Sequence, residues 1–312
     1  MRVLLDTTYL ARGHTGTGTY VRELSRALAA LGVEVVEAAN PRRRPPGTGS
    51  VRNALDDARW TRRELPRRAR QARADLVHHP LPAHSPGVRN VVTVHDLAFD
   101  VHPELFDRRY ATWARLAHAR AARAADAVVA VSHTTANEAL TRWGLPREHV
   151  VVAQHGPGQI AAPVERKEPR HVLYVGDDEP RKNLGLQQDA VERFGRLPLR
   201  RAQQRDDLHD LHAHALALVH PAIHEGFGLT PLEALAAGTP VVAYPSLAVR
   251  EVCGPAALYA TTADEMAAHL RRLHDEPAFA AAQADRGRAQ AARFSWEKSA
   301  RAHLRAYTLA IE

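Results

Sequence analysis

Short apolar, β-branched runs alternate with helical spacing from one end of the chain to the other. Val3-Leu4-Leu5, residues 33–36, Leu76-Val77, residues 91–94, residues 127–131 and Val150-Val151-Val152 read as strands buried on both faces, while Val21, Leu24, Leu28 and Leu31 recur at three- and four-residue intervals as one helix face. After a loop running from Gly156-Pro157-Gly158 to Pro169, the pattern restarts. Residues 172–175, 218–219 and 241–243 predict strands, residues 184–194, 208–216 and 231–237 predict helices, and residues 277–312 are helical in composition with no strand candidate. Strands alternating with helices predict parallel sheets, so the fold class is α/β with two doubly wound, Rossmann-like domains.

Composition narrows this only slightly. A chain of 312 residues suits two domains of about 150 each. An apolar fraction of 45% and a charged fraction of 25% exclude a disordered or collagen-like chain. Cys253 is the one cysteine and forms no internal disulfide. No apolar run approaches the roughly 18 residues of a membrane span, and the opening run stops at Asp6, so the expectation is a soluble, cytoplasmic protein.

The net charge of +7 is local and comes almost wholly from arginine. Between Pro41 and Arg73, starting at Arg42, eleven arginines face Asp56, Asp57 and Glu64, a net of +8. Such a stretch suits anionic lipid, nucleic acid or a phosphorylated substrate, and is equally a solvated helix face. Trp60 is the only aromatic interleaved, which argues against single-stranded nucleic acid; no nucleic-acid partner is expected.

In open parallel sheets ligands collect beyond the carboxyl ends of the strands, and four such places stand out. Gly13-His14-Thr15-Gly16-Thr17-Gly18 follows the first strand and fits either a tight turn or backbone amides presented to an anion. His95-Asp96 ends the fourth strand, either facing a substrate or satisfied within the fold. Glu179-Pro180-Arg181-Lys182-Asn183 places two cations at a strand-to-helix turn, a clamp for a diphosphate or an ordinary basic turn, with Asn183 able to cap the helix. The strongest signal runs from His224-Glu225-Gly226-Phe227-Gly228-Leu229-Thr230 through Glu233 to Gly238. There Thr230 is read as the helix cap, Pro231 as its first residue, Glu233 as completing a capping box, and Gly238 as the stop. Glu225 lies ahead of that helix, where packing gives no reason for a carboxylate; two acids flanking free helix amides outline a nucleotide-sugar site.

At these residues the chain resembles the family 4 retaining glycosyltransferases of the GT-B fold. The resemblance extends over nearly the whole chain, from Leu5-Asp6 and the Gly13 to Gly18 loop with Tyr20, through Val92-Thr93-Val94-His95-Asp96-Leu97, Val129-Ala130-Val131-Ser132, Glu179 to Asn183 and Glu225 to Val242, to Phe294-Ser295-Trp296-Glu297. It implies an acceptor-side domain at 1–160, a nucleotide-sugar-binding domain at 161–293, and a last helix at 294–312 that packs back on the first. By resemblance, Glu225 positions the donor sugar's hydroxyls and Glu233 the ribose. Arg181 and Lys182, with the amides of Gly228, Leu229 and Thr230, neutralise the leaving diphosphate, His95 faces the reacting sugar, and Gly13 and Gly16 line the diphosphate or acceptor side.

The implied chemistry is retaining hexosyl transfer from a GDP- or UDP-hexose, mannose first, to a glycan, lipid-linked or small-molecule acceptor. It needs no cofactor and no metal. His209, His212 and His214 do not share one helix face, so no metal role is assigned to them. On this reading the arginine stretch would hold the protein at the anionic inner face of the plasma membrane.

Two departures from the family pattern stand out. Only 42 positions separate Asn183 from Glu225, so a βαβ unit is expected to be missing, reducing a 3-2-1-4-5-6 sheet to 1-4-5-6 and thinning the wall against the nucleobase. Asp177 and Asp178 add two acids beside the diphosphate position. The alternative function is therefore a degenerate, weakly active or inactive transferase-like scaffold.

Overall fold

The computed structural model describes residues 1–8, 10, 15–43, 50–203 and 205–312. Its elements run β1 (Arg2–Asp6), α1 (Gly16–Ala30), β2 (Glu34–Ala38), α2 (Ser50–Arg59), a π-helical turn Trp60–Glu64, α3 (Leu65–Ala72), β3 (Leu76–His79), β4 (Asn90–Val94), α4 (Ala98–Val101), α5 (Arg108–Ala124), β5 (Ala127–Ala130), α6 (His133–Trp143) and β6 (Val150–Val152). They continue with β7 (His171–Tyr174), a 3-10 turn Pro180–Lys182, α7 (Leu184–Phe194), β8 (Leu199–Arg201), α8 (Leu208–Ala213), β9 (Ala215–His220), α9 (Leu229–Ala237) and β10 (Val241–Ala243). Last come α10 (Leu247–Cys253), β11 (Ala257–Tyr259), α11 (Ala263–Asp275), α12 (Pro277–Ala291) and α13 (Trp296–Ile311). The chain forms two compact units, Met1–His155 with Trp296–Glu312, and Gly156–Ser295.

Unit 1 holds a six-stranded sheet in the order β2-β1-β3-β4-β5-β6, every pairing parallel. β3, β4 and β5 are buried at every position because helices cover both faces, so β5 is apolar throughout and β3 and β4 are apolar except for His78, His79, Asn90 and Thr93. Tyr20, Val21, Leu24 and Leu28 of α1 pack on this sheet with Ala306, Tyr307 and Ala310 of α13. Helix ends follow local chemistry: Ser132 accepts from the Thr135 amide at 2.9 Å to start α6, and Gly144 at φ 59° ends it.

Polar groups also occupy the interior of unit 1. The Tyr20 hydroxyl lies 2.7 Å from Thr93 Oγ1 and 2.9 Å from His303 Nε2, and His78 reaches Thr93 Oγ1 at 2.8 Å and the Tyr307 hydroxyl at 2.7 Å. Burial pushes His303 down to about 4 and His78 well below the usual histidine range, so the network is neutral.

Unit 2 holds a smaller, five-stranded parallel sheet in the order β11-β10-β9-β7-β8. The expected four-strand remnant is corrected here, because Leu199 and Arg200 pair with Val172 and Leu173 and keep β8 as an edge strand. Numbered within the unit, the order is 2-1-3-4-5, with the switch point between β7 and β9.

Candidate functional site

The loops beyond β7 and β9 meet at that switch point. The amide of Ile223 donates to the carbonyl of Arg181 at 3.0 Å and ties one loop to the other. On this frame Lys182 Nζ lies 2.7 Å from Glu225 Oε1, and Arg181 Nη1 lies 3.3 Å from Glu225 Oε2. Arg181 Nε also donates to Glu179 at 2.7 Å and Nη1 to the His224 carbonyl at 3.3 Å. His220, at the carboxyl end of β9, stands 3.1 Å from Glu225 Oε1. Burial pushes the Glu225 carboxyl up, but Lys182, His220 and Arg181 outweigh it and hold the group well below the usual carboxylate range. Sequence reasoning singled out Arg181, Lys182 and Glu225 and missed His220; its place at a strand's carboxyl end, five residues before Glu225, was the available signal.

Helix α9 follows directly on the loop that carries Glu225. Gly228 is its N-cap at φ 95°, a left-handed conformation that favours glycine, and no side chain caps it. The expected cap is corrected: because Gly228 turns the chain early, the helix begins at Leu229, and Thr230 lies inside it. The expected capping box is corrected with it. Glu233 is 5% exposed and accepts instead from the amide of Gln159 at 2.6 Å, with Gly158 as a second backbone donor. Burial drives its pKa up to about 7 against those two bonds. A capping box does form at the Thr-x-x-Glu of residues 262–265, where the Glu265 amide donates to Thr262 at 3.2 Å and the Thr262 amide donates to Glu265 at 3.2 Å. Gly238 ends α9 as read, in the left-handed conformation at φ 79°. Asn183 occupies the N-cap of α7 at φ 50° but makes no side-chain cap.

Asp177 and Asp178 are exposed and enter no ion pair among the described residues. His212 is buried against Thr239 Oγ1 at 3.0 Å, and His214 lies 3.2 Å from the carbonyl of Asp210. Among the described residues no group of three potential ligands is placed to hold a metal ion.

In unit 1, His95 follows β4 at the carboxyl edge of the sheet. It is hydrogen-bonded to the backbone of Pro80, while its Nε2 is buried without a hydrogen-bond partner; burial, opposed by Asp96, brings it down to about 4. Gly16 opens α1 behind the cap Thr15, and a Cβ added there meets no atom within 4 Å, so packing does not demand glycine. Gly13 lies outside the described residues.

Residues 14–156 match the family described as Glycosyltransferase Family 4, and residues 199–290 match Glycosyl transferases group 1. The two matches together make the protein a glycosyltransferase. O-antigen chain mannosyltransferase B of Escherichia coli is similar to this transferase at 26% identity over 268 residues, 71% of this chain and 70% of the relative. Sucrose-phosphate synthase from Thermosynechococcus elongatus superposes with a TM-score of 0.78 at 19% identity, covering 99% of this chain and 98% of the other. Anabaena Alr3699/HepE, in complex with UDP-glucose, superposes at 0.65 and 15% identity, covering 96% and 97%. These likenesses establish the GT-B fold of the transferase, with two parallel sheets and their covering helices.

Proposed function

We propose that the transferase moves a hexose, mannose as first candidate, from a nucleoside-diphosphate sugar to a glycan, lipid-linked or small-molecule acceptor, with retention at the anomeric carbon and without a metal or cofactor. The observation that carries this reading is the meeting of Arg181, Lys182 and Glu225 beside the uncapped start of α9. In the free protein Glu225 neutralises the two cations. An arriving diphosphate offers them a stronger partner and releases the carboxylate toward the sugar hydroxyls. The bond from the anomeric carbon to the diphosphate oxygen breaks, and a bond from the same carbon to the acceptor oxygen forms on the same face. The acceptor proton passes to the departing phosphate oxygen, and the two cations with the amides of Gly228, Leu229 and Thr230 stabilise the charge that develops there. Glu233 is assigned to the ribose hydroxyls, His95 to the reacting sugar, and Gly16 to close approach by a ligand.

Mannose is preferred because a relative is named an O-antigen chain mannosyltransferase, and a nucleotide-sugar donor because a structural neighbour holds UDP-glucose. The 42-position interval supports the loss of one strand and its helix from the donor sheet, which weakens selection of the base. The arginine stretch remains the proposed contact with anionic lipid at the cytoplasmic membrane face. Arg42 and Arg59 pair with Glu64 and Arg43 with Asp57, which leaves Arg62, Arg63, Arg67 and Arg73 without carboxylate partners among the described residues.

The test is calorimetric titration of GDP, UDP and their hexoses in the presence of EDTA. Saturable binding, with GDP and UDP within about tenfold of each other and each weakened about a hundredfold by Lys182→Ala, is the expected result. Absence of binding by either nucleotide at millimolar concentration, to a protein with an intact melting transition, would sink the reading in favour of the inactive scaffold. Proton NMR of the product tests retention.

A further inference from the structure

Unit 1 has its own switch point, between β1 and β3, and a cavity of about 1150 Å³ opens there. Asp6 and His79, at the carboxyl ends of the two strands, lie on its wall; α2 with the turn after it forms one side and α5 the other. The volume exceeds the roughly 300–1,000 Å³ of ordinary small-ligand sites and suits more than one sugar ring.

The charge on the wall is uneven. Both carboxylates that line it already have partners within the protein: Asp6 accepts from Trp60 Nε1 at 3.1 Å and from the Thr8 amide at 3.0 Å, and Asp57 pairs with Arg43 and accepts from Asn40 at 3.2 Å. Arg62 on one side and Arg120 on the other are exposed and enter no ion pair among the described residues. His118 is held neutral by burial, down to about 4, and offers no positive charge. Helix α5 contains five arginines and no acid. Trp113, 59% exposed, lines the cavity and leaves an indole face to solvent. A cavity whose carboxylates are bonded internally, with two uncompensated guanidiniums facing in from opposite sides, selects an anion. Guanidinium geometry matches phosphate oxygens, and the tryptophan face matches the apolar face of a sugar.

We propose that this cavity binds a phosphate-bearing sugar, with Arg62 and Arg120 on the phosphate and Trp113 against the sugar ring. That this sugar is the acceptor rests on the transferase reading; the binding itself does not. The phosphate can come from a soluble sugar phosphate or from a lipid-linked sugar, and the test separates them.

Three probes are titrated by calorimetry: methyl α-mannoside, mannose 6-phosphate, and mannosyl phosphate on a short citronellyl chain. The phosphorylated probes are expected to bind at least tenfold more tightly than the neutral glycoside. Arg62→Gln and Arg120→Gln should each cost about tenfold and Trp113→Ala about threefold, with melting temperatures unchanged. Binding should persist in Lys182→Ala, which makes it independent of the donor loop. Binding of the citronellyl probe alone assigns a lipid-linked source, and equal binding of the two phosphorylated probes a soluble one. Equal affinity for the neutral glycoside, or indifference to both arginine substitutions, overturns the proposal. So does binding to phosphatidylglycerol vesicles without binding to either sugar phosphate, which makes the face a membrane surface. GDP and UDP are titrated in parallel. Nucleotide binding without sugar phosphate binding removes this proposal alone, and the reverse removes the transferase reading alone.

Discussion

The switch points of the two sheets have the same topology and opposite electrostatics. In unit 2 the charges between β7 and β9 are paired with one another: Lys182, Arg181 and His220 surround Glu225. In unit 1 the crevice between β1 and β3 is open. Its acids are bonded internally, two guanidiniums stand free of acids among the described residues, and a neutral hydrogen-bonded network of Tyr20, His78, Thr93 and His303 lies in the core beneath the sheet's covering helices. Strand order therefore decides where a ligand goes, and loop charge decides what it must be and what it displaces. The ionic crevice is therefore expected to respond to substitution, and the neutral interior to acid.

The largest effect expected is acid unfolding of unit 1. The unfolded chain binds protons at histidine near pH 6.5 while folded His303 does so only near 4, and burial holds His78 and His155 well below the usual histidine range, so stability is lost as pH falls from 6.5 toward 4. The loss should be on the order of 5 kcal/mol between pH 7 and 4. All four tryptophans, Trp60, Trp113, Trp143 and Trp296, belong to unit 1, so urea unfolding followed by indole fluorescence reads this unit; a flat midpoint across the window would refute the neutral interior.

Next in size is Glu225→Ala, which leaves Arg181, Lys182 and His220 facing one another. A loss of about 3 kcal/mol is expected in unit 2, detected as a lower melting transition at low salt and partly restored by phosphate. An unchanged melting temperature would mean the cluster adds nothing to the fold.

Glu233→Gln sharpens the contrast from the other direction. The folded carboxyl titrates near 7 and the unfolded one near 4.5, so the folded state holds its proton longer and stability is lost as pH rises from 4.5 to 7. Removing the titration should flatten that slope, worth about 2 kcal/mol, read by hydrogen exchange at the Gln159 amide. A slope that persists in the variant would assign it to another group. The smallest effect is Tyr20→Phe, about 1 kcal/mol by denaturant titration, because Thr93 keeps its bond to His78 when the hydroxyl is gone. A loss above 3 kcal/mol would show that the hydroxyl organises the whole network.

Much of this was legible along the chain because parallel strands buried on both faces leave short apolar runs, such as Val3-Leu4-Leu5 in β1, Val91-Val92 in β4 and the whole of β5. The short β11 was not legible, since Ala257-Leu258-Tyr259 lacks the β-branched valines that mark β6 and β10 at the same length. Nor was the fate of Thr-x-x-Glu, which caps α11 at Thr262 but not α9 at Thr230. The motif specifies possible bonds, and the backbone angle at Gly228 chooses the helix start.

What the amino-acid order determined alone is whatever depends on near neighbours and period: strand and helix type, the glycine stop at Gly238, and chemistry gathered at the carboxyl ends of strands. Tertiary structure decided the partners. Glu233 meets Gln159 across 74 positions, Glu225 meets Lys182 across 43, and Tyr20 meets His303 across 283. Those distances in sequence are closed by packing of whole elements, and only there do burial and neighbouring charge set which carboxylate is ionised and which cation is left for a ligand.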